Sequence, residues 1–199
     1  MEKIMISFPA HENFEGCIAV FCDATALSPS LAMWPEFLLD PRVWGAFGLH
    51  PHTAQHYNDA LEQRIMDALT HEKAVAWGEC GLDFAKMHSE KQVQMDVFKR
   101  QIIAAVKIGK PIMVHSRRAA NETYDILAEN APADHPIHIH CFGDTVHDAE
   151  AYLKHFSRLV RFLPLEPYHI SRSLWMNLHV FHTTICLLPS LSYRLPTNH

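Results

Sequence analysis

Residues 74–116 contain the segment that decides the fold class of this chain. They begin with the apolar run AVAWGECG (residues 74–81) and end with the run PIMVHS (residues 111–116). Between these runs, residues 90–108 place apolar side chains at the three- and four-residue spacing of an amphipathic helix. Two short apolar runs joined by a helix are typical of a β-α-β unit, because strands buried on both faces are almost continuously apolar.

The ends of this predicted helix carry their own signals. Ser89 and Gln92 have the spacing of a capping box, which predicts that the helix begins there. Gly109 is a typical C-terminal stop, and Pro111 prevents the helix from continuing. The predicted apolar stripe contains Val93, Val97, Phe98, Ile102, Ile103, Ala105 and Val106.

The same alternation of apolar runs and helical patterns extends in both directions. Further strands are predicted at residues 16–23, 43–48, 137–142 and 158–163, and further helices at residues 59–70, 119–130 and 146–156, the last capped by Thr145. Repeated units of this kind predict a parallel α/β fold. An open doubly wound sheet commonly carries a glycine-rich phosphate loop, which this sequence lacks. Polar residues instead cluster at the predicted strand ends, which favours a (β/α)8 TIM barrel.

The composition argues against several classes of protein. The 199 residues are 48% hydrophobic and 20% charged, which is typical of a folded domain and not of a disordered chain. We expect no membrane association and no secretory signal, because no apolar run has the required length or position. The five cysteines are odd in number and include no C-x-x-C pair. They therefore predict an intracellular location, nucleus or cytoplasm, without a disulfide framework.

Charge and histidine content narrow the range of functions that the sequence allows. The net charge of −5 excludes a protein that binds nucleic acid through an overall basic surface, so any nucleic acid would be held by local groups or by metal. The sixteen histidines are an excess for a chain of this length. Because histidine is the commonest metal ligand and a usual general base near neutral pH, the excess hints at a metal or acid–base site.

Three residues at predicted strand ends form the main constellation. Glu79, His115 and His140 each follow an apolar run, at intervals of 36 and 25 residues, or about one βα unit each. In a barrel they would converge at the mouth, where a carboxylate and two imidazoles suit zinc, manganese or magnesium. Without further information, a capping or paired carboxylate is an equal alternative for Glu79. His138 faces the same side as His140, and we interpret it as a packed or hydrogen-bonded histidine.

Four further polar residues are candidates for the pocket. His50 and His52 flank a proline, so a loop role and a substrate role remain equally open. Arg117 follows His115 by two residues and could clamp a phosphate with its planar fork, or could form a salt bridge with a neighbouring acid. Asp83 could cap the next segment or contact a substrate.

Four short motifs in this order carry a resemblance to a known family. GLHPH (residues 48–52), GECGLD (78–83), VHSR (114–117) and HCFG (140–143) resemble the successive motifs of the TatD family. That family comprises metal-dependent deoxyribonucleases built on amidohydrolase-like TIM barrels. The resemblance covers about residues 16–162, and its strength lies in the order of four motifs, each after a predicted strand.

The resemblance implies a divalent cofactor of one or two ions, Mg²⁺, Mn²⁺ or Zn²⁺. It implies that Glu79 is shared between two ions and that His115 and His140 bind one of them. The other implied roles are catalytic for Glu79, Asp83 and Arg117, and substrate-binding for His50, His52 and Arg117. The implied substrate is DNA, with RNA as an alternative, degraded by 3′–5′ exonuclease action, and a role in DNA repair would follow. Protein partners are not implied.

The sequence also departs from the family pattern. The family opens with an H-x-H motif, whereas residues 1–15 contain only His11, and the family supplies a late Asp, whereas residues 167–199 contain no acid. We therefore expect strands two to seven of eight, an incomplete barrel in a chain truncated at both ends. The expected division is a partial hydrolase domain at residues 1–163 and a divergent tail at 164–199.

These departures leave three functional hypotheses. The first is a divalent-metal nuclease of the TatD type that is weakened because ligands of one metal are missing. The second is a catalytically inactive barrel fragment that acts only by binding a partner. The third is a metal-dependent hydrolase of C–N or carboxylic ester bonds, since barrels of this kind share the ligand set. The four motifs favour phosphodiester bonds.

Overall fold

The computed structural model describes residues 16–140, 145–161 and 184–187. Within these residues the strands are β1 (Gly16–Phe21), β2 (Val43–Phe47), β3 (Ala74–Asp83), β4 (Ile112–Arg117), β5 (Ile137–His140), β6 (Leu159–Arg161) and β7 (Thr184–Leu187). The helices are α1 (Trp34–Phe37), α2 (Asp59–Ala68), α3 (Lys91–Ile108), α4 (Ala120–Asn130) and α5 (Val146–His155), with a 3₁₀ helix at Pro51–His56. In the part of the chain so described, no helix is both long and apolar enough to cross a membrane.

The order of the strands follows the order of the chain. The sheet runs β6-β5-β4-β3-β2-β1-β7, and β1 to β6 are all parallel. A doubly wound sheet reverses its winding at a switch point, where two consecutive strands are not neighbours. Here each strand is followed by its immediate neighbour without a reversal, which is the winding of a (β/α)8 barrel. The predicted parallel α/β fold of the barrel type is therefore confirmed.

The two faces of the sheet bury different side chains. The larger cluster packs the strands against the helices and includes Phe47, Trp77, Phe98, Ile112 and Leu127. The smaller cluster lies on the opposite face, which is the inner face of a barrel, and contains Val20, Cys22, Ala46, Ala76 and Met113. Because side chains two residues apart on a strand share a face, the inner face continues from Met113 to the strand ends, where the polar residues lie.

Helix α3 differs from its prediction at its start and along its stripe. Its N-cap is Glu90, which forms no side-chain cap, and the hydroxyl of Ser89 donates instead to the carbonyl of His52 and to Gln55. The predicted capping box is therefore wrong. Gly109 does end the helix, in the left-handed conformation with φ of 70°. The buried face of the helix consists of Gln94, Phe98, Gln101, Ile102, Ala104 and Ala105. Ile103, predicted in the stripe, is 49% exposed.

The other predicted strands and helices match the structure closely, whereas α1 and the 3₁₀ helix were not predicted. Thr145 caps α5 through a capping box with Asp148, as predicted. The predicted strand residues 141–142 and 162–163 lie outside the described residues. Strand β7 was not predicted; it pairs antiparallel with β1, with Gly16 opposite Leu187. The division at residues 163 and 164 stays a prediction.

Candidate metal centre

The candidate centre lies where β2, β3 and β4 end. His50 follows β2, Glu79 lies within β3 where its register with β4 shifts, and His115 lies in β4 on the inner face. Each of the three side chains offers one ligand atom, and these atoms all lie within 4.8 Å of one another. The strands can approach this closely because Gly81 adopts φ of 147° and leaves no side chain against the backbone of His115.

Glu79 supplies the negative charge of this trio. Its side chain is almost fully buried, and its Oε1 accepts a hydrogen bond of 2.7 Å from Nδ1 of His115. Burial alone would raise the pKa of Glu79, but the hydrogen bond from His115 and the nearby imidazoles outweigh it and lower the pKa to about 2. Glu79 is therefore ionised at neutral pH, as a metal ligand must be.

His115 lies between two carboxylates. Its Nδ1 faces Glu79, and its Nε2 lies 3.3 Å from Oδ2 of Asp83. Burial lowers the pKa of His115, but the hydrogen bond to Glu79 and the charges of both carboxylates outweigh burial and raise the pKa. An ion bound at Glu79 and ligated by His115 would replace the proton on one ring nitrogen of His115, because a ligating imidazole must offer a lone pair. A carboxylate and two imidazoles fit a divalent metal ion of the zinc or manganese type.

Asp83 fixes two of the histidines. Its Oδ1 accepts hydrogen bonds from the backbone N–H groups of Ala85 and Lys86, so it also caps the following turn. Its Oδ2 contacts Nε2 of His52 at 2.8 Å as well as Nε2 of His115. Burial raises the pKa of Asp83, but the hydrogen bonds from Lys86, His52 and Ala85 and the charge of His115 together lower it to about 2. The capping role considered for Asp83 is thus present, whereas its contact with a substrate stays a prediction.

His140 lies beside the compact trio. It is paired in register with His115 of the neighbouring strand, and it interacts electrostatically with Glu79. Burial lowers its pKa, although the charge of Glu79 acts in the opposite direction. The structure thus brings together Glu79 and His115 as predicted, but places His50 in the compact trio. His140 as a ligand stays a prediction.

His138 and Arg117 occupy opposite environments. Burial and the charge of His140 lower the pKa of His138 to about 4, so it is neutral at pH 7, in agreement with a packed histidine. Arg117 is exposed at the end of β4, in register with Asp83. Among the described residues it forms no ion pair. The role of Arg117 in binding a phosphate stays a prediction.

Sequence reasoning missed three polar residues around this centre. The ring of His88 lies 4.7 Å from that of His52, centroid to centroid. Gln94 and Gln101 are fully buried on α3 and hydrogen-bond to the backbone beside the site. For Gln94 and Gln101, the signal in the sequence was their position on the buried face of the helix. A buried amide requires hydrogen-bond partners.

The sequence is similar to known nucleases over most of its length. The family described as "TatD related DNase" matches residues 5–177. The human protein named 3'-5' RNA nuclease TATDN2 is 42% identical over 154 residues, which are 77% of this chain and 20% of that protein. The protein named 3'-5' ssDNA/RNA exonuclease TatD from Enterobacter lignolyticus is 32% identical over 114 residues, 57% of this chain and 44% of that protein. This chain therefore spans less than half the length of both relatives.

Solved structures show the same fold. The TatD homologue YJJV from Escherichia coli superposes with a TM-score of 0.61 at 22% identity, over 74% of this chain and 55% of that one. An uncharacterized amidohydrolase from Saccharomyces cerevisiae superposes with a TM-score of 0.62 at 16% identity, over 72% of this chain and 55% of that one. These likenesses confirm the barrel-type fold. The family match extends beyond both ends of residues 16–162, where the four motifs lie, and the chain belongs to the TatD-related DNase family.

Proposed function

We propose that this chain is a divalent-metal-dependent nuclease that hydrolyses phosphodiester bonds in single-stranded DNA or RNA from the 3′ end. The observation that carries the proposal is the compact trio of His50, Glu79 and His115, with an ionised buried carboxylate, at the strand ends of a TatD-type barrel. The names of the human and enterobacterial relatives support the 3′–5′ direction and both kinds of nucleic acid.

A divalent ion at such a centre supplies Lewis-acid polarisation of the phosphodiester and a lowered pKa for a water molecule. Glu79 holds the negative charge that attracts the ion, and Asp83 keeps the ring of His115 in place. Asp83 also holds His52 through Nε2, which fixes the orientation of that imidazole. Arg117 is the group that we assign to the phosphate, because a guanidinium can bind two phosphate oxygens at once.

We further propose that the 199-residue chain is a weak catalyst. The ligands that the family takes from an early H-x-H and a late Asp have no counterpart in residues 1–15 and 167–199. A centre that depends on His50, Glu79 and His115, with His140 beside it, would bind one ion well and a second one poorly. Mg²⁺, Mn²⁺ or Zn²⁺, one or two ions, remain the proposed cofactors. An intracellular location and a role in DNA repair stay predictions.

The test is degradation of end-labelled single strands by the purified chain. DNA and RNA oligonucleotides of the same sequence are incubated with Mg²⁺ or Mn²⁺, with EDTA, and with a Glu79→Ala variant. Metal-dependent loss of label that disappears in the variant supports the nuclease. No loss of label, from protein whose circular dichroism shows a folded chain, contradicts it and favours an inactive protein that acts through a partner.

A further inference from the structure

Two buried glutamines lie on the same face of α3. Gln94 and Gln101 are at most 1% exposed, and their separation of seven residues places them two helical turns apart on one side. An amide without partners in such a place is costly, so each must be compensated by hydrogen bonds. Both find their partners in the backbone of the segments that carry the candidate metal centre.

Gln101 holds the segment after β2. Its Oε1 accepts from the backbone N–H of Leu49 at 2.9 Å, and its Nε2 donates to the carbonyl of Leu49 at 3.1 Å. The same Oε1 accepts from Nε1 of Trp77 at 3.1 Å. Leu49 directly precedes His50, and Trp77 lies two residues before Glu79. One side chain therefore links the backbone next to His50 with the indole of Trp77, which belongs to the strand that presents Glu79.

Gln94 repeats this arrangement at the end of β3. Its Oε1 accepts from the backbone N–H of Asp83 at 2.9 Å, and its Nε2 lies 3.3 Å from the carbonyl of Asp83. The same Nε2 donates to the carbonyl of Ser89 at 2.8 Å. The carboxylate of Asp83 in turn contacts His52 and His115. Gln94 therefore fixes the residue that orients two imidazoles.

We infer that Gln94 and Gln101 are positioning residues of the metal centre, through which α3 sets the position of His50 and the orientation of His115. The metal part of this inference rests on the proposed function. Groups that orient metal ligands without contacting the ion commonly change metal affinity by about 10–100-fold when they are replaced. If the two amides only satisfied hydrogen bonds in the buried interior, their replacement would lower the stability of the fold. The metal affinity of the folded protein would then be unchanged.

The first test replaces each amide by an apolar side chain of similar length, Gln94→Met and Gln101→Met, with Ile102→Val as the control. Ile102 is buried on the same helix face and is not among the hydrogen-bonding groups of the centre. Backbone amide exchange in the metal-free proteins should accelerate at Asp83 in the first variant and at Leu49 in the second. Mn²⁺ titration should show affinity reduced by about 10-fold or more in Gln101→Met and unchanged in Ile102→Val.

Two results would overturn the inference. One is Mn²⁺ affinity within twofold of the parent in both folded glutamine variants. The other is faster exchange at Leu49 and Asp83 without any change in affinity, which would show that the amides hold the loops but do not position the centre. Failure of the parent chain to bind Mn²⁺ would contradict the proposed function, and the exchange rates would then show only whether the amides hold the two segments.

A second measurement needs no variant and covers the case in which the methionine substitutions prevent folding. Coupling between two sites is reciprocal, so an ion bound at the centre must strengthen the hydrogen bonds that position it. Diamagnetic Mg²⁺ should therefore slow exchange at the amides of Leu49 and Asp83 in the parent chain by a larger factor than at the amide of Ala105 on α3, which reports only the general stabilisation by a bound ion. Unaltered exchange at Leu49 and Asp83 in Mg²⁺-saturated protein would contradict the inference.

Discussion

The two sides of the barrel mouth hold their polar side chains in different ways. On the side of β2, β3 and β4, the carboxylates of Glu79 and Asp83 are buried against histidines, and their pKa values are lowered to about 2. On the side of β5, burial lowers the pKa values of His138 and His140. One side therefore presents fixed negative charge and the other neutral imidazoles. The charged side attracts a cation, and the neutral side can offer a lone pair without releasing a proton.

The largest expected effect comes from removing the charge on the carboxylate side. We expect Glu79→Ala to weaken Mn²⁺ binding by at least about 100-fold, since even groups that only orient ligands contribute about 10–100-fold. Calorimetric titration of the metal-free protein measures this affinity. Glu79→Gln keeps the size of the side chain and loses the charge, so it should behave like the alanine variant. Mn²⁺ binding that survives in Glu79→Gln would refute the electrostatic argument.

The next prediction decides which histidine completes the centre. The ligand atom of His50 lies within 4.8 Å of those of Glu79 and His115. His140 instead lies in β5, opposite His115 in the sheet register. We expect His50→Ala to reduce Mn²⁺ affinity by about 10-fold or more and His140→Ala to reduce it less. Both variants are compared by titration after circular dichroism has shown equal folding. A larger loss in His140→Ala would instead support the ligand set of Glu79, His115 and His140.

The neutral side gives a prediction on pH and stability. The pKa of His138 is about 4 in the folded chain, below its ordinary value of 6.5, because of burial first and the charge of His140 second. Between pH 6.5 and pH 4 the unfolded chain therefore binds more protons, and the free energy of unfolding decreases as the pH falls. The loss amounts to about 2 kcal/mol at pH 5.

Urea unfolding in EDTA at pH 7.5 and pH 5 measures this loss. The parent chain should lose about 2 kcal/mol more than His138→Leu between the two pH values. In the variant the carboxylates remain, and their low pKa values keep them ionised over this range. Equal losses in both proteins would show that His138 is not the titrating group.

The sequence was sufficient to predict the fold because the pattern of each strand and helix lies within a short segment of the chain. The apolar runs and the helical spacing of residues 74–116 define a β-α-β unit without reference to the rest of the chain. Strand β7 could not be predicted in the same way, since its pairing with β1 joins residues more than 160 positions apart. The capping box at Ser89 failed because a distant carbonyl, that of His52, takes the hydroxyl.

The site was predictable where a side chain is fixed by a strand. Glu79 and His115 lie within β3 and β4, whose apolar runs the sequence shows, so their neighbourhood could be predicted. The register shift between Trp77 and Cys80, which decides the face of Glu79, could not be derived from the alternation of faces. His50 lies in the turn around Pro51, whose direction the sequence does not determine. Gln94 and Gln101 were absent from the predicted stripe because hydropathy counts an amide as polar, whatever its partners. Their burial depends on backbone groups that become neighbours only in the folded chain.

The smallest expected effect concerns the exposed guanidinium at the mouth. Arg117 lies beside Asp83 in the sheet register, and within the described residues it has no ion-pair partner, so a substrate phosphate is its proposed partner. Arg117→Lys retains the charge but loses the planar fork, so we expect KM for a single-stranded oligonucleotide to rise about 5- to 10-fold while Mn²⁺ affinity is unchanged.

Arg118→Lys, the same change at the next exposed arginine, is the matched control and should leave KM unaltered. Equal changes in KM in the two variants would mean that nucleic acid responds to the general charge of this loop, and the assignment of Arg117 to the phosphate would then fail.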